Sequence, residues 1–140
     1  MEDQTQDQEL TCWDNPTSFV VGLQLRTRDG LVYPPDELRV TIDTGYDGGL
    51  LVPFELYAEL GLFKWERPEE DWALGETVAG QTVVLPAADA EVLIPALGIA
   101  IPVMVETFWD NQAFLVGLQF MRRYKWLLDG PADRTCLLSG

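Results

Sequence analysis

The sequence predicts an all-β domain with one or two short helices. Three observations lead there. Short runs of β-branched and other apolar residues recur between turn signals such as Asp29-Gly30 and Ala79-Gly80. Only residues 53–60 combine an apolar side with helix start and stop residues, although residues 118–124 have room for two helical turns. The longest apolar stretch, residues 92–105, is too short for a membrane helix and is cut by Pro95 and Pro102.

The elements follow in order. Residues 1–17 are acidic and amide-rich and read as a flexible arm, with Asn15-Pro16 marking entry to a single domain at 18–140. Residues 19–25 form a β-rich run that ends at the Asp29-Gly30 turn. Residues 37–43 alternate around Leu38, Val40 and Ile42, so these side chains share one face of a strand that delivers Asp43 at its end. Gly45, Gly48 and Gly49 permit a tight loop before Leu50-Leu51-Val52 resumes an apolar strand.

Pro53 suits a first helical position, Phe54, Tyr57, Ala58 and Leu60 give an apolar side, and Gly61 is a stop. Residues 65–72 read as an exposed acidic loop. Residues 73–78 and 81–85 flank Ala79-Gly80 as a hairpin. Strands are expected at 91–94, 99–106, 126–129 and 135–138, with another apolar run at 114–117.

Composition removes most chemistries. The chain has 140 residues and no histidine, so Ser-His-Asp and Cys-His catalysis and His-ligated zinc are excluded. Cys12 and Cys136 stand at opposite ends and make no Cys-x-x-Cys site. No glycine-rich phosphate loop is present. A net charge of -14 argues against nucleic acid and anionic membrane surfaces as partners. The N-terminus lacks a positive region followed by an apolar core, so no secretory signal is read, and a cytoplasmic protein with reduced cysteines is expected. Carboxylates remain.

The informative one is Asp43, in Val40-Thr41-Ile42-Asp43-Thr44-Gly45. Two aspartates that share one proton hold an acid and a base together, because like charges in contact cannot both ionise easily. Such a pair activates water without metal or organic cofactor, and none is expected here. Aspartate suits the task because a turn can hold its short side chain rigidly. Thr44 offers a hydroxyl to lock that turn, and Gly45 admits close backbone approach. An Asp-Ser/Thr-Gly triplet occurs by chance in roughly one chain in twenty of this length. Its surroundings therefore decide its meaning.

Those surroundings resemble the retropepsin-like (clan AA) aspartic proteases, in particular the small prokaryotic single-domain type. Four pieces carry the resemblance in order. They are residues 40–53 continuing through Glu59-Leu60-Gly61-Leu62, the segment 76–83, Phe114-Leu115-Val116-Gly117, and residues 118–129. Together they span residues 19 to about 138. The resemblance implies a closed β-barrel of the acid-protease half-domain type, a flap hairpin and a two-fold homodimer, since the chain holds one triplet.

By resemblance Asp43 is the catalytic acid, Thr44 grips the partner subunit and Gly45 meets substrate backbone. Tyr46, Asp47, Val78, Ala79, Gly80 and Val116 are the implied substrate-side residues, with Val78 to Gly80 at the flap tip and Val116 and Gly117 behind the loop. Interleaved chain ends in such dimers also leave a Cys12–Cys136 contact across subunits open. Two departures stand out. Tyr46 replaces the small residue that retroviral enzymes place after the triplet, and Leu118 replaces an arginine, leaving Asp47 to look to Arg26 or Arg28.

The expected activity is that of a homodimeric aspartic endopeptidase acting on a peptide or protein substrate. An alternative keeps the fold as a catalytically weak or silent peptide-binding dimer, which Tyr46 in the cleft would favour. A third has a structural partner subunit that uses the acidic arm. The five tryptophans are expected as core or interface aromatics, Trp72 being the candidate to line the cleft. Arg122, Arg123 and Lys125 read as a solvated basic face, and Asp129-Gly130 as a turn.

Overall fold

The computed structural model describes residues 8–15, 17–77 and 79–140. Among the described residues, eleven strands and two short α-helices make a mostly β structure, as the sequence predicts. Strands β2 (Val20–Arg26), β3 (Val32–Ile42), β4 (Leu50–Leu51), β7 (Ala87–Ile94), β8 (Ile99–Glu106) and β9 (Leu115–Val116) close a barrel in the order β2-β3-β9-β4-β8-β7. β5 (Ala73–Glu76) and β6 (Thr82–Leu85) form a separate two-stranded sheet. β1 (Glu9–Asp14), β11 (Arg134–Leu138) and β10 (Lys125–Asp129) form a third sheet in the order β1-β11-β10.

The barrel forms because its strands alternate. Val21, Leu23 and Leu25 of β2, Val92 and Ile94 of β7, and Ile101 of β8 turn inward and are almost wholly buried. Val40 is buried in β3, with Leu38 and Ile42 packed against the same core, as the alternation predicts. β3 begins at Val32, earlier than expected, because the prolines that argue against a strand are accommodated. The β2–β3 register shifts between Leu23 and Leu25, and the Gln24 side-chain amide donates to the carbonyls of Pro34 and Pro35.

The helix α1 (Phe54–Glu59) follows β4, with Pro53 at its N-cap and Gly61 at φ 68° beyond its end. Its buried side chains are Leu56 and Tyr57, whereas Ala58 is exposed. The apolar side is thus rotated from the one expected. α2 (Leu118–Met121) has a single turn instead of two. The Met121 carbonyl accepts from Trp126 Nε1 at 2.9 Å, at the point where the chain turns into β10. Asp129 Oδ1 caps the following turn at Ala132, so Asp129-Gly130 is a turn as read.

The amino-terminal region departs most from expectation. Residues 9–14 belong to β1, not to a flexible arm, and Trp13 is only 3% exposed. Trp13 lies over Gly22, where a Cβ would stand 2.2 Å from Nε1, and its indole donates to Glu37. Buried Asn15 accepts from the Val20 amide and the Thr135 hydroxyl, fastening the strand to the body. Pro16 lies outside the described residues.

Cys12 faces Cys136 across β1 and β11, and the two form a disulfide within one chain. The expectation of reduced thiols is corrected, as is a contact between subunits. Sequence distance concealed this pairing, because an antiparallel sheet returns the last strand to the first. The tryptophans also divide. Trp13 is in the core and Trp126 packs against it, whereas Trp109 is 79% exposed with its ring edge-to-face on Phe54. No helix among the described residues is long and apolar enough to cross a membrane.

Candidate active-site loop

Asp43 leaves the end of β3 at the point where β9 lies alongside. The parallel β3–β9 pairing sets Ile42 beside Val116, and the Asp43 amide donates to the Val116 carbonyl at 2.9 Å. β4 then returns antiparallel on the other side of β9, pairing Leu50 with Val116. The segment 43–49 therefore loops around a two-residue strand that holds both of its ends.

The turn is closed by the acid itself. Asp43 Oδ1 accepts the Gly45 amide at 2.9 Å, and the Asp43 carbonyl accepts the Tyr46 amide at 3.1 Å. The expectation that Thr44 locks the turn gives way to this arrangement. Thr44 and Gly45 are exposed, and Asp43 is half-buried. The start of α2 grips the far side of the loop. Gly117, Leu118 and Gln119 donate their amides to the carbonyls of Gly49, Tyr46 and Gly48 at 3.0, 2.9 and 3.1 Å.

That grip needs glycine for space. A Cβ on Gly117 would lie 2.3 Å from the Gly48 carbonyl oxygen and 2.7 Å from that of Tyr46. A Cβ on Gly48 would lie 2.3 Å from both Glu106 Oε1 and the Tyr46 hydroxyl. Val116 is completely buried behind the loop, so its place is that of a brace and not of a cleft wall.

Tyr46 is half-buried, and its side chain runs back over Gly48 to donate its hydroxyl to Glu106 Oε1. Glu106, at the end of β8, is 3% exposed. Burial pushes its carboxyl above the ordinary value, with the Tyr46 hydrogen bond opposing. Burial, then the charge and acceptor of Glu106, push the Tyr46 phenol far up, so it stays a donor. Glu106 is the residue that sequence reasoning missed. It ends an apolar strand like any solvent-side acid, and nothing local ties it to a tyrosine 60 positions earlier.

Asp47 is exposed, and the two arginines proposed for it are engaged elsewhere. Arg26 bonds Glu91 through Nε and Nη2, and Arg28 lies over the Trp65 ring. Arg123 is exposed and donates to the Pro102 carbonyl.

β5 and β6 pair as expected, with Leu74 opposite Val84, and both side chains are exposed, at 70% and 53%. Ala79 and Gly80 are exposed at the turn, with Gly80 at φ 83°, whereas Val78 lies outside the described residues. Trp72 is half-buried, immediately before β5, and donates to the Arg67 carbonyl. Among the described residues, Glu9, Cys12 and Cys136 form the one grouping with metal-ligand geometry, but both sulfurs are consumed in the disulfide.

No protein-family model matches this chain, and no curated protein matches it.

Proposed function

We propose that the chain is an aspartic endopeptidase that acts as a homodimer, with Asp43 of each subunit forming the dyad that activates water. The observation that carries this reading is the Asp43 loop. A strand-terminal aspartate is clamped by main-chain bonds on both sides, and its carboxylate is oriented by the Gly45 amide. A dyad needs rigidly held carboxylates, and this loop supplies one per chain.

Thr44 and Gly45 are exposed, which leaves them open to a second copy in the proposed dimer. The disulfide-linked β1–β11 pairing within one chain means that a dimer does not depend on exchanging those strands. The β5–β6 hairpin, with its exposed apolar pair, is suited to close over an extended peptide as a flap. A silent peptide-binding module would be favoured by Tyr46 filling the cleft. The phenol on Glu106 supports the catalytic reading instead.

A mixing experiment tests the shared dyad. Wild type is co-refolded with rising excesses of Asp43→Asn, and peptide cleavage is followed. A dyad across subunits predicts that activity falls with the square of the wild-type fraction. A linear fall indicates a site complete within one chain and overturns the dimeric mechanism.

A further inference from the structure

Tyr46 fastens the Asp43 loop from three directions. Its amide donates to the Asp43 carbonyl, its carbonyl accepts from the Leu118 amide, and its hydroxyl reaches Glu106 inside the barrel. The first two bonds tie the loop to itself and to α2. Only the third ties it to β8.

We propose that Glu106 is a positioning residue for Asp43: through the Tyr46 hydroxyl it anchors the loop to the barrel and keeps the phenol away from the exposed Thr44–Gly45 side. The catalytic consequence rests on the peptidase reading; the anchor itself does not.

Glu106 is suited to be the fixed end. Its carbonyl accepts the Val52 amide at 3.0 Å, and its backbone lies in register between Leu51 of β4 and Ala87 of β7. A carboxylate buried to this degree is costly unless hydrogen-bonded. The bond from Tyr46 offsets only part of that cost, since burial still holds the carboxyl above its ordinary value, and a leucine there would avoid it altogether. A leucine would also leave the Tyr46 hydroxyl without its acceptor, so a polar group at this position does what packing alone does not.

The path from acceptor to Asp43 is short and rigid. The phenol crosses Gly48, which has no room for a Cβ, and the ring is bounded by Gly117, where a Cβ would stand 2.5 Å from Tyr46 Cδ2. Displacing the hydroxyl therefore shifts Tyr46, and Tyr46 carries the amide that fixes the Asp43 carbonyl. Tyr57, from α1, also feels Glu106, but its hydroxyl is committed to Glu66 at 2.9 Å.

The test uses three variants of the full chain. Tyr46→Phe removes the donor, Glu106→Leu removes the acceptor, and Glu106→Gln keeps an acceptor without charge. Amide hydrogen exchange is read at Tyr46, Leu118 and Gln119, alongside kcat and KM on a peptide that wild type cleaves. Tyr46→Phe and Glu106→Leu are expected to speed exchange at these amides by about tenfold or more, with β7 amides unchanged. Both are expected to lower kcat about tenfold with KM within about twofold, and the double variant to be no worse than either. Glu106→Gln is expected to stay near wild type in both readouts.

Unchanged loop exchange in Tyr46→Phe, which conserves the ring and its packing, overturns the anchor whether or not any peptide is cleaved. Faster exchange with undiminished kcat overturns the positioning role. A wild type that cleaves nothing counts against the peptidase reading alone, and the exchange data still decide the anchor.

Discussion

The Asp43 amide donates to the Val116 carbonyl at 2.9 Å, so the residue just after β3 is held by the strand that lies between β3 and β4. Two residues of β9 thereby fix the start of the loop, and Gly117 fixes its end through the Gly49 carbonyl. The placement of the acid is a property of the barrel's closure more than of the triplet.

Gly117→Ala is expected to disrupt this closure. The added methyl meets two backbone carbonyls, which cannot swing aside as a flexible side chain would. The expected loss is about 1–3 kcal/mol of stability, with a larger proportional loss of peptide cleavage. Thermal unfolding and an activity assay on the same preparation check it. An alanine variant with wild-type Tm would contradict the close packing described.

The buried carboxyl of Glu106 sets a pH dependence. Burial raises it above its ordinary value of 4.5, so between that value and the folded one the native state holds a proton that the unfolded chain has released. The stability it contributes is present below the unfolded value and lost as pH rises through the folded one. Wild type is therefore expected to lose stability relative to Glu106→Gln on going from about pH 4 to about pH 8. Urea unfolding of both proteins across that range measures the difference. A gap that does not change with pH would show that Glu106 does not titrate abnormally.

The Cys12–Cys136 bond spans 124 residues, so it constrains the unfolded chain strongly. Replacing both cysteines with serine is expected to cost about 2–5 kcal/mol. Intact-mass measurement before and after reduction, followed by denaturation of each form, checks both the bond and its worth. Two free thiols in the unreduced protein would contradict the pairing.

Leu74 and Val84 face each other on the outer hairpin and pack on little else. Changing both to serine is expected to alter stability by only about 0.5 kcal/mol each. The same change is expected to raise KM for a peptide about tenfold, because the apolar clamp is lost. Steady-state kinetics on an apolar peptide measure this, and an unchanged KM would remove the hairpin from the binding site.

The Asp43 loop was legible because its determinants are local. Alternation around Val40 and Ile42 makes the strand, and Gly48 and Gly49 mark the close approach that follows. The barrel strands were legible in part for the same reason, although β3 and β7 begin at Val32 and Ala87, earlier than the sequence pattern marks them. β1 was not, because Glu9–Asp14 carries little apolar pattern and its partner strand begins 120 residues later at Arg134. The disulfide was hidden with it. Glu106 escaped notice because its meaning depends on a tyrosine brought to it only by the barrel. Patterning along the chain reveals faces, whereas pairings across it belong to the fold.

The most direct test of an Asp43 dyad is cleavage of a diverse peptide library by wild type and Asp43→Asn, read by mass spectrometry from about pH 4 to about pH 8. Cuts are expected with wild type and not with the variant, while both remain folded dimers. Equal cutting by both, or no cutting by a wild type shown to be dimeric, would contradict the dyad.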